Sequence, residues 1–419
     1  MKNKCKAGRG MTMCLVCAMV LGVADMATAL DFQLLGRSRL TVSDNIDRAP
    51  VGQEIEGYLL TMEGDLNISG EPGTGTVNFL AGGGVETRKS DDFSNSDNYR
   101  FRLNMRFPWA TTGYVEGSAN FSEETENPEL GDINQGRLRT RRSNVSVGAG
   151  RRSSQTFQWH GNVDARTQRN IDLDLEETRG GLGWGLTLNR RRSLTIDVGY
   201  HEGSDAVEAD SWTGSSLSFN MTNQTDRSTS TGYRLDWESS QLERSDGARE
   251  HSNMVSVVAL YVVEMSTDWT FTSEVGVDGI KPIVDERRWE PRVELGVTGL
   301  PDRRVQFDSS LSVFSSIRDP EEGDVAWTRA GQIQAGLMWN LTSAYSVEPR
   351  IQYRYAEVYG NAAADRTDIT WFFELAMSWS PSRTLSLEAA AVSETIDSTE
   401  AFRDLSENRL DLTLSAAFF

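Results

Sequence analysis

The chain has 419 residues, with 42 basic and 61 acidic side chains, a formal net charge of −19 and 38% hydrophobic residues. Aromatics at 9%, including 11 Trp, set it apart from disordered polar chains, which are poor in them. A bundle of membrane helices is excluded, because each would need ~20 mostly apolar residues and the best apolar run past the N-terminus is Val257–Val263. The acidity argues against a nucleic-acid partner.

At the N-terminus, Lys2, Lys4, Lys6 and Arg9 precede an apolar stretch from Met11 to Ala24 and the small-x-small site Ala27-Thr28-Ala29. This predicts a cleaved signal peptide over residues 1–29, followed by one domain over 30–419. All 3 cysteines (Cys5, Cys14, Cys17) lie in that leader. The exported chain therefore holds no disulfide, and its stability must come from a large hydrogen-bonded sheet or a large core.

From there on, the dominant signal is alternation of apolar and polar residues. In chain order, strand centres fall near Leu40, Leu60, Gly82, Leu103, Gly117, Val145, Val163, Trp184, Val198, Leu217, Leu235, Val257, Val275, Leu295, Leu311, Gln334, Ile351, Phe373, Leu387 and Leu412. The clearest run is Asp368–Trp379, where Ile369, Trp371, Phe373, Leu375, Met377 and Trp379 share a face. Short turns such as Arg190–Arg192 and Pro301–Arg303 alternate with longer polar segments: Glu123–Gln135, His201–Asp210, Ser240–Glu250, Ile317–Asp324 and Ser393–Ser406. Short turns on one side and long loops on the other are the layout of a membrane β-barrel.

The predicted fold is all-β, a single transmembrane antiparallel barrel of about 20 strands, with 18 as the alternative because the first three are the weakest. Twenty strands ~4.8 Å apart and tilted ~40° give a backbone diameter of roughly 40 Å. Trp109, Trp269, Trp339, Tyr345 and Trp379 beside short turns, and Trp212, Trp237, Trp289, Trp327 and Trp371 toward loop ends, predict two interfacial belts. The alternative is that these rings fill the core of a soluble sandwich.

With apolar residues facing lipid, the alternate positions line the interior. They include Arg100, Arg102 and Arg106 on one strand, Arg234 and Asp236 on another, and Glu348, Arg350 and Arg354 on a third. Arg139 joins them from the run Arg137, Arg139, Arg141, Arg142, the densest basic stretch. Past the leader the only lysines are Lys89 and Lys281. Guanidinium groups fork onto carboxylate, phosphate or sulfate, so this run suits an anionic polymer; equally, it could pair with the acidic segment beginning at Glu123. Elsewhere, cross-strand pairing of these charges would brace the wall. The loop near Glu123–Gln135 is the candidate for a segment that folds over or into the pore.

No catalytic constellation, cofactor motif or metal spacing is present. Only 3 histidines occur, His160, His201 and His251, and none stands in a recognisable nucleophile motif. Gly82-Gly83-Gly84 reads as a flexible or closely packed strand segment.

Arg409–Phe419 is an amphipathic strand with a terminal aromatic residue. It resembles the sorting signal of outer-membrane barrels, which implies the barrel-assembly machinery as a partner through Phe419. Leu410, Leu412, Leu414 and Phe418 share one parity and Phe419 has the other. Near the start, Arg39-Leu40-Thr41-Val42-Ser43-Asp44-Asn45-Ile46 resembles the first strand of outer-membrane porins associated with exopolysaccharide and exosortase systems. That resemblance implies a channel that moves a surface polysaccharide by diffusion or threading, in contact with outer-membrane lipid, lipopolysaccharide and polysaccharide-export components. It supplies no catalytic residue and no cofactor. Competing expectations are an anchoring barrel with a filled lumen, a lipid hydrolase at the barrel rim and a soluble secreted glycan-binding β-protein.

Overall fold

The structure is a computed structural model that describes residues 30–46, 48–49, 51–71, 75–89, 93–126, 138–170, 174–207, 209–281, 288–316, 325–360, 366–399 and 403–418. The expected leader, the terminal Phe419, the segment 317–324 and most of the Glu123–Gln135 loop lie outside the described residues.

Twenty strands form one sheet: β1 (Leu30–Ser43), β2 (Gly57–Gly70), β3 (Thr76–Lys89), β4 (Phe93–Ala110), β5 (Gly113–Glu126), β6 (Leu138–Arg152), β7 (Phe157–Arg169), β8 (Asp174–Asn189), β9 (Arg192–Asp205), β10 (Asp210–Gln224), β11 (Thr229–Glu243), β12 (Arg249–Ser266), β13 (Trp269–Lys281), β14 (Arg288–Asp302), β15 (Val305–Ser316), β16 (Val325–Thr342), β17 (Tyr345–Gly360), β18 (Arg366–Ser382), β19 (Leu385–Ser398) and β20 (Leu405–Phe418). Every predicted strand centre falls inside one of them. Each strand pairs antiparallel with the next, and β1 pairs with β20 from Leu34↔Phe418 to Ser43↔Arg409, so the sheet closes on itself. Closure removes the unpaired edges that an open sheet would expose.

The strands are longer than the sequence pattern suggested. His201–Asp205, Ser240–Glu243 and Ser393–Ser398, read as loop from their polarity, are strand. About 10 residues cross a bilayer, so these tips stand beyond an apolar band and need no apolar face.

That band is continuous around one side of the wall. Val147 pairs with Val163, Leu182 with Val198, Val198 with Leu217, Val257 with Val277, Leu295 with Leu311, Leu311 with Ile333 and Ile351 with Phe373. Most of these side chains are exposed, as are Trp109, Trp339 and Trp379 at the turn end and Trp237, Trp289 and Trp371 at the loop end. Phe418 continues the same parity and is 57% exposed.

The other side carries the hydrogen-bonding groups and is the concave one. Side chains on the inside of a curved wall converge, and this is the face on which strands that are not neighbours reach one another. Arg100 of β4 reaches Glu63 and Asp65 of β2, Arg234 of β11 reaches Glu274 of β13, and Ile280 of β13 packs on Trp327 of β16.

Candidate functional site: the concave face and its mouth

The concave charges form bridges, several of which step over a strand. Arg100 pairs in register with Gly82, and Gly82 with Asp65. Because Gly82 has no side chain, the Arg100 guanidinium crosses β3; its Nε donates to Asp65 Oδ1 (2.8 Å), and Nη2 donates to Asp65 Oδ2 and to Glu63 Oε2 (3.0 Å). A Cβ at Gly82 would overlap Asp65 Oδ1. The same device recurs where His160 and Asp197 meet across Gly183, with Nε2 3.5 Å from Oδ1. Of the two expectations for Gly82–Gly84, flexible or closely packed, the close approach at Gly82 bears out the second.

Eight of the nine residues expected inside share this face. Arg102 donates to Asn120 Oδ1 (3.0 Å), and the Arg106 guanidinium lies 4.0 Å above the Tyr114 ring. Arg234 bridges Asp236 (2.9 Å) and Glu274 (2.8 Å), while Ser218 donates to Asp236 (2.7 Å). Arg350 bridges Glu348 (2.9 Å) and Glu374 (3.5 Å), and Arg354 stands on the same face, exposed. Arg139 does not join them. Its register partner is Thr125, whose parity is that of Phe121 and the apolar band, and it pairs instead with Glu123 (2.7 Å), which also holds Arg141 (3.0 Å). In this run it is Thr140 and Arg142 whose parity turns them inward. Two arginines of the basic stretch thereby share one carboxylate of the acidic segment before it.

The loop-end mouth holds three features that strand counting does not reveal. First, the β1–β2 connection folds inward. Asn45 is buried; its Nδ2 donates to the carbonyls of Ala49 (2.7 Å) and Ser406 (3.1 Å), and its Oδ1 accepts the Ala49 N–H (2.8 Å). Arg48 reaches the concave carboxylates Glu394 (3.0 Å) and Glu407 (3.8 Å). Farther along, the Gly52 N–H donates to Glu54 (2.8 Å) and holds that carboxyl below the usual carboxylate range.

Second, Trp212 is 2% exposed and packs on Leu175 and Leu242 inside the barrel, so it is no part of an interfacial belt. Its parity in β10 is that of Gly214 and Ser216, opposite to Leu217, and that decides its side.

Third, the tips of β15, β16 and β17 tuck inward against β13 and β14. The β14–β15 ladder begins only at Val293↔Val313, leaving Arg288–Arg292 without β15 partners. The Ser315 N–H donates instead to Asp278 Oδ2 of β13 (3.4 Å). Trp327, which follows a bulge in β16, is 2% exposed and packs on Ile280. It stacks on Tyr359 with ring centroids 4.1 Å apart, and Arg288 lies over both rings. Arg329 reaches Glu290 (3.5 Å), and Arg292 reaches the fully buried Asp278 (3.7 Å). Trp327 was also expected in the loop-end belt; it keeps the parity of Ile333 and the apolar band, and it is the inward tuck of the strand tip that covers it. Pro291 sits in the unpartnered stretch of β14, where a missing N–H costs least.

No family model matches the chain, and no curated protein matches it. Solved structures do. The FrpB iron transporter from Neisseria meningitidis (F5-1 variant) superposes with a TM-score of 0.61 at 9% identity, over 94% of this chain and 84% of that one. The siderophore receptor PirA from Pseudomonas aeruginosa gives 0.52 at 12% identity, over 92% and 80%. A mutant of the ferric enterobactin receptor PfeA, also from Pseudomonas aeruginosa, gives 0.55 at 13% identity, over 91% and 80%. At such identities the likeness is one of fold: a large closed barrel, shared with transporters and receptors.

Proposed function

We propose that this chain is a channel of the bacterial outer membrane that passes hydrophilic solutes through its interior without a cofactor. The observation that carries this reading is the division of the closed wall: an exposed apolar band with aromatic rings at both rims on one side, and a hydrogen-bonded polar face on the other. A wall apolar on its outer face suits hydrocarbon, and a charged interior suits water, since burying such groups dry and unpaired would cost several kcal/mol per ion. The fold shared with an iron transporter and siderophore receptors agrees with transport. Outer-membrane lipid and lipopolysaccharide would contact the band, and the final strand would address the assembly machinery.

The finer reading, passage of a surface polysaccharide alongside export components, rests on the resemblance of Arg39–Ile46. In the structure that stretch ends β1 and starts the inward connection. A second reading is a barrel that anchors other components while its mouth is filled. It is favoured by the three inward features at the loop end.

Reconstitution in a planar bilayer separates these readings. Stepwise current from the purified, folded barrel is the expected result. A folded barrel with no current favours the anchoring reading, and recovery of the mature chain free in periplasm or medium rejects both.

A further inference from the structure

The arginine content of the interior suggests a passage for anions, and the geometry points the other way. We infer that the wall from β7 to β15 makes the interior cation-preferring, so that the solutes it passes most readily are cationic or neutral and anionic polymers are disfavoured. This inference rests on the channel reading above and names the charge class of its passengers.

Two independent observations carry it. The first is what the arginines do. Arg100 is held by Glu63 and Asp65, Arg234 by Asp236 and Glu274, Arg350 by Glu348 and Glu374, and Arg409 by Glu407 and Asp411. Each guanidinium faces two carboxylates, so its fork is occupied; around Arg100, Arg234 and Arg350 a residual negative charge remains, whereas Arg39 and Arg48 also pair with the carboxylates at Arg409 and leave that cluster balanced. An anionic solute would have to displace a partner already bound at hydrogen-bond distance, in an environment less screened than bulk water.

The second is how the rest of the charge is spread. On the concave face of β7–β15, among the described residues, carboxylates outnumber arginines by more than two to one. On β1–β6 the two are nearly balanced. Glu238, Glu264 and Glu294 are exposed on the acidic wall, and Glu388 of β19 adds a further exposed carboxylate. Glu294 stands opposite Glu274 in register, so two like charges face each other there. Like charges across strands oppose folding, and water or counter-cations in the interior would offset that cost. Charges of one sign on low-dielectric walls concentrate counter-ions in the space they enclose.

The test is the reversal potential of the reconstituted full-length barrel in a KCl gradient. Potassium should permeate severalfold better than chloride at low salt, and the ratio should fall toward one near 1 M, where the screening length shrinks to ~3 Å. Glu238→Gln, Glu294→Gln and Glu388→Gln, made singly so that a folding defect in one leaves the others informative, should each lower the ratio without abolishing current. A ratio of one or below at low salt, with clear current, overturns the inference and leaves the channel standing. Absence of current from folded barrels overturns both.

Discussion

Gly82 offers a sharp test of how the interior is braced, because the sign of the effect depends on its neighbours. Replacing a strand glycine by valine ordinarily stabilises by ~0.5–1 kcal/mol, through lower unfolded-state entropy and better strand propensity. At Gly82 the new Cβ would overlap Asp65 Oδ1 and come within 3.0 Å of the Gly64 carbonyl oxygen, forcing the Asp65 carboxylate away from Arg100. Hydrogen bonds to charged groups contribute ~1.5–3 kcal/mol each. Arg100 is partly solvated, so ~2–3 kcal/mol for both bonds to Asp65 is the appropriate scale. Gly82→Val should therefore destabilise by ~1–2 kcal/mol net. In an Asp65→Ala background only the close approach to the Gly64 carbonyl is left to relax, so the same valine should be close to neutral, a coupling of ~2 kcal/mol. Urea titration in detergent, followed by tryptophan fluorescence and by heat-modifiable gel mobility, would measure both. Equal destabilisation in the two backgrounds would refute the bridging role of the glycine.

Other expectations follow from the same geometry. Trp327→Ala should cost ~3–5 kcal/mol and raise single-channel conductance by loosening the inward tuck, with Ile280→Ala as a milder companion; unchanged conductance in both would show that the tuck does not narrow the passage. The chain past Cys17 is free of cysteine, so Leu387→Cys and Glu388→Cys report wall orientation directly: in bilayers only the Glu388 variant should react with a water-soluble thiol reagent, and the reverse pattern would invert the assignment of faces. In the β10–β11 turn, the Ser228 N–H (2.8 Å) and hydroxyl (3.0 Å) donate to Asp226 and hold its carboxyl below the usual range. A depressed folded value means the stabilisation is present above ~3.9, the free aspartate value, and is lost as pH falls through the folded value. Protection of the Ser228 amide against hydrogen exchange should therefore drop between pH 5 and acid in the wild type, and Asp226→Asn should remove that dependence.

The fold was readable because a wall wet on one side and apolar on the other must alternate, and period 2 survives in sequence without an alignment. Leu194, Ile196 and Val198 against Thr195, Asp197 and Gly199 show this. What failed to read was whatever depends on depth or on a partner far along the chain. The polar tips around His201 and Ser240 look like loop, because a strand beyond the bilayer has no apolar face to declare it. Trp212 and Trp327 look like belt residues, because a large ring near a strand end is the same letter whichever way it points. Trp212 is settled by parity; Trp327 has the parity of the apolar band, and only the long-range contact with Ile280 reveals that the strand tip is turned inward. Arg139 was misplaced for a related reason: in a run of Arg137, Arg139, Arg141 and Arg142 both parities hold arginine, so composition alone does not choose a face. Asp65 and Arg100 stand two strands apart, and only the bare backbone at Gly82 between them hints that they touch.

The ring is sealed by its first and last strands, and the bonds that seal it span nearly the whole chain: Thr41 to Asp411 (2.5 Å), Ser43 to Glu407 (3.0 Å), Asp44 to the Asn408 amide (2.8 Å) and the Val51 N–H to the Asp404 carbonyl (3.0 Å). None of them can form before β20 arrives. Until then β1 offers one side of its backbone to any passing strand, and the entropy of bringing such distant segments together must be met in a single late step. Assembly is thus a race between that final ligature and trespass by a neighbouring copy, and helpers that hold β1 until β20 is delivered would decide its outcome.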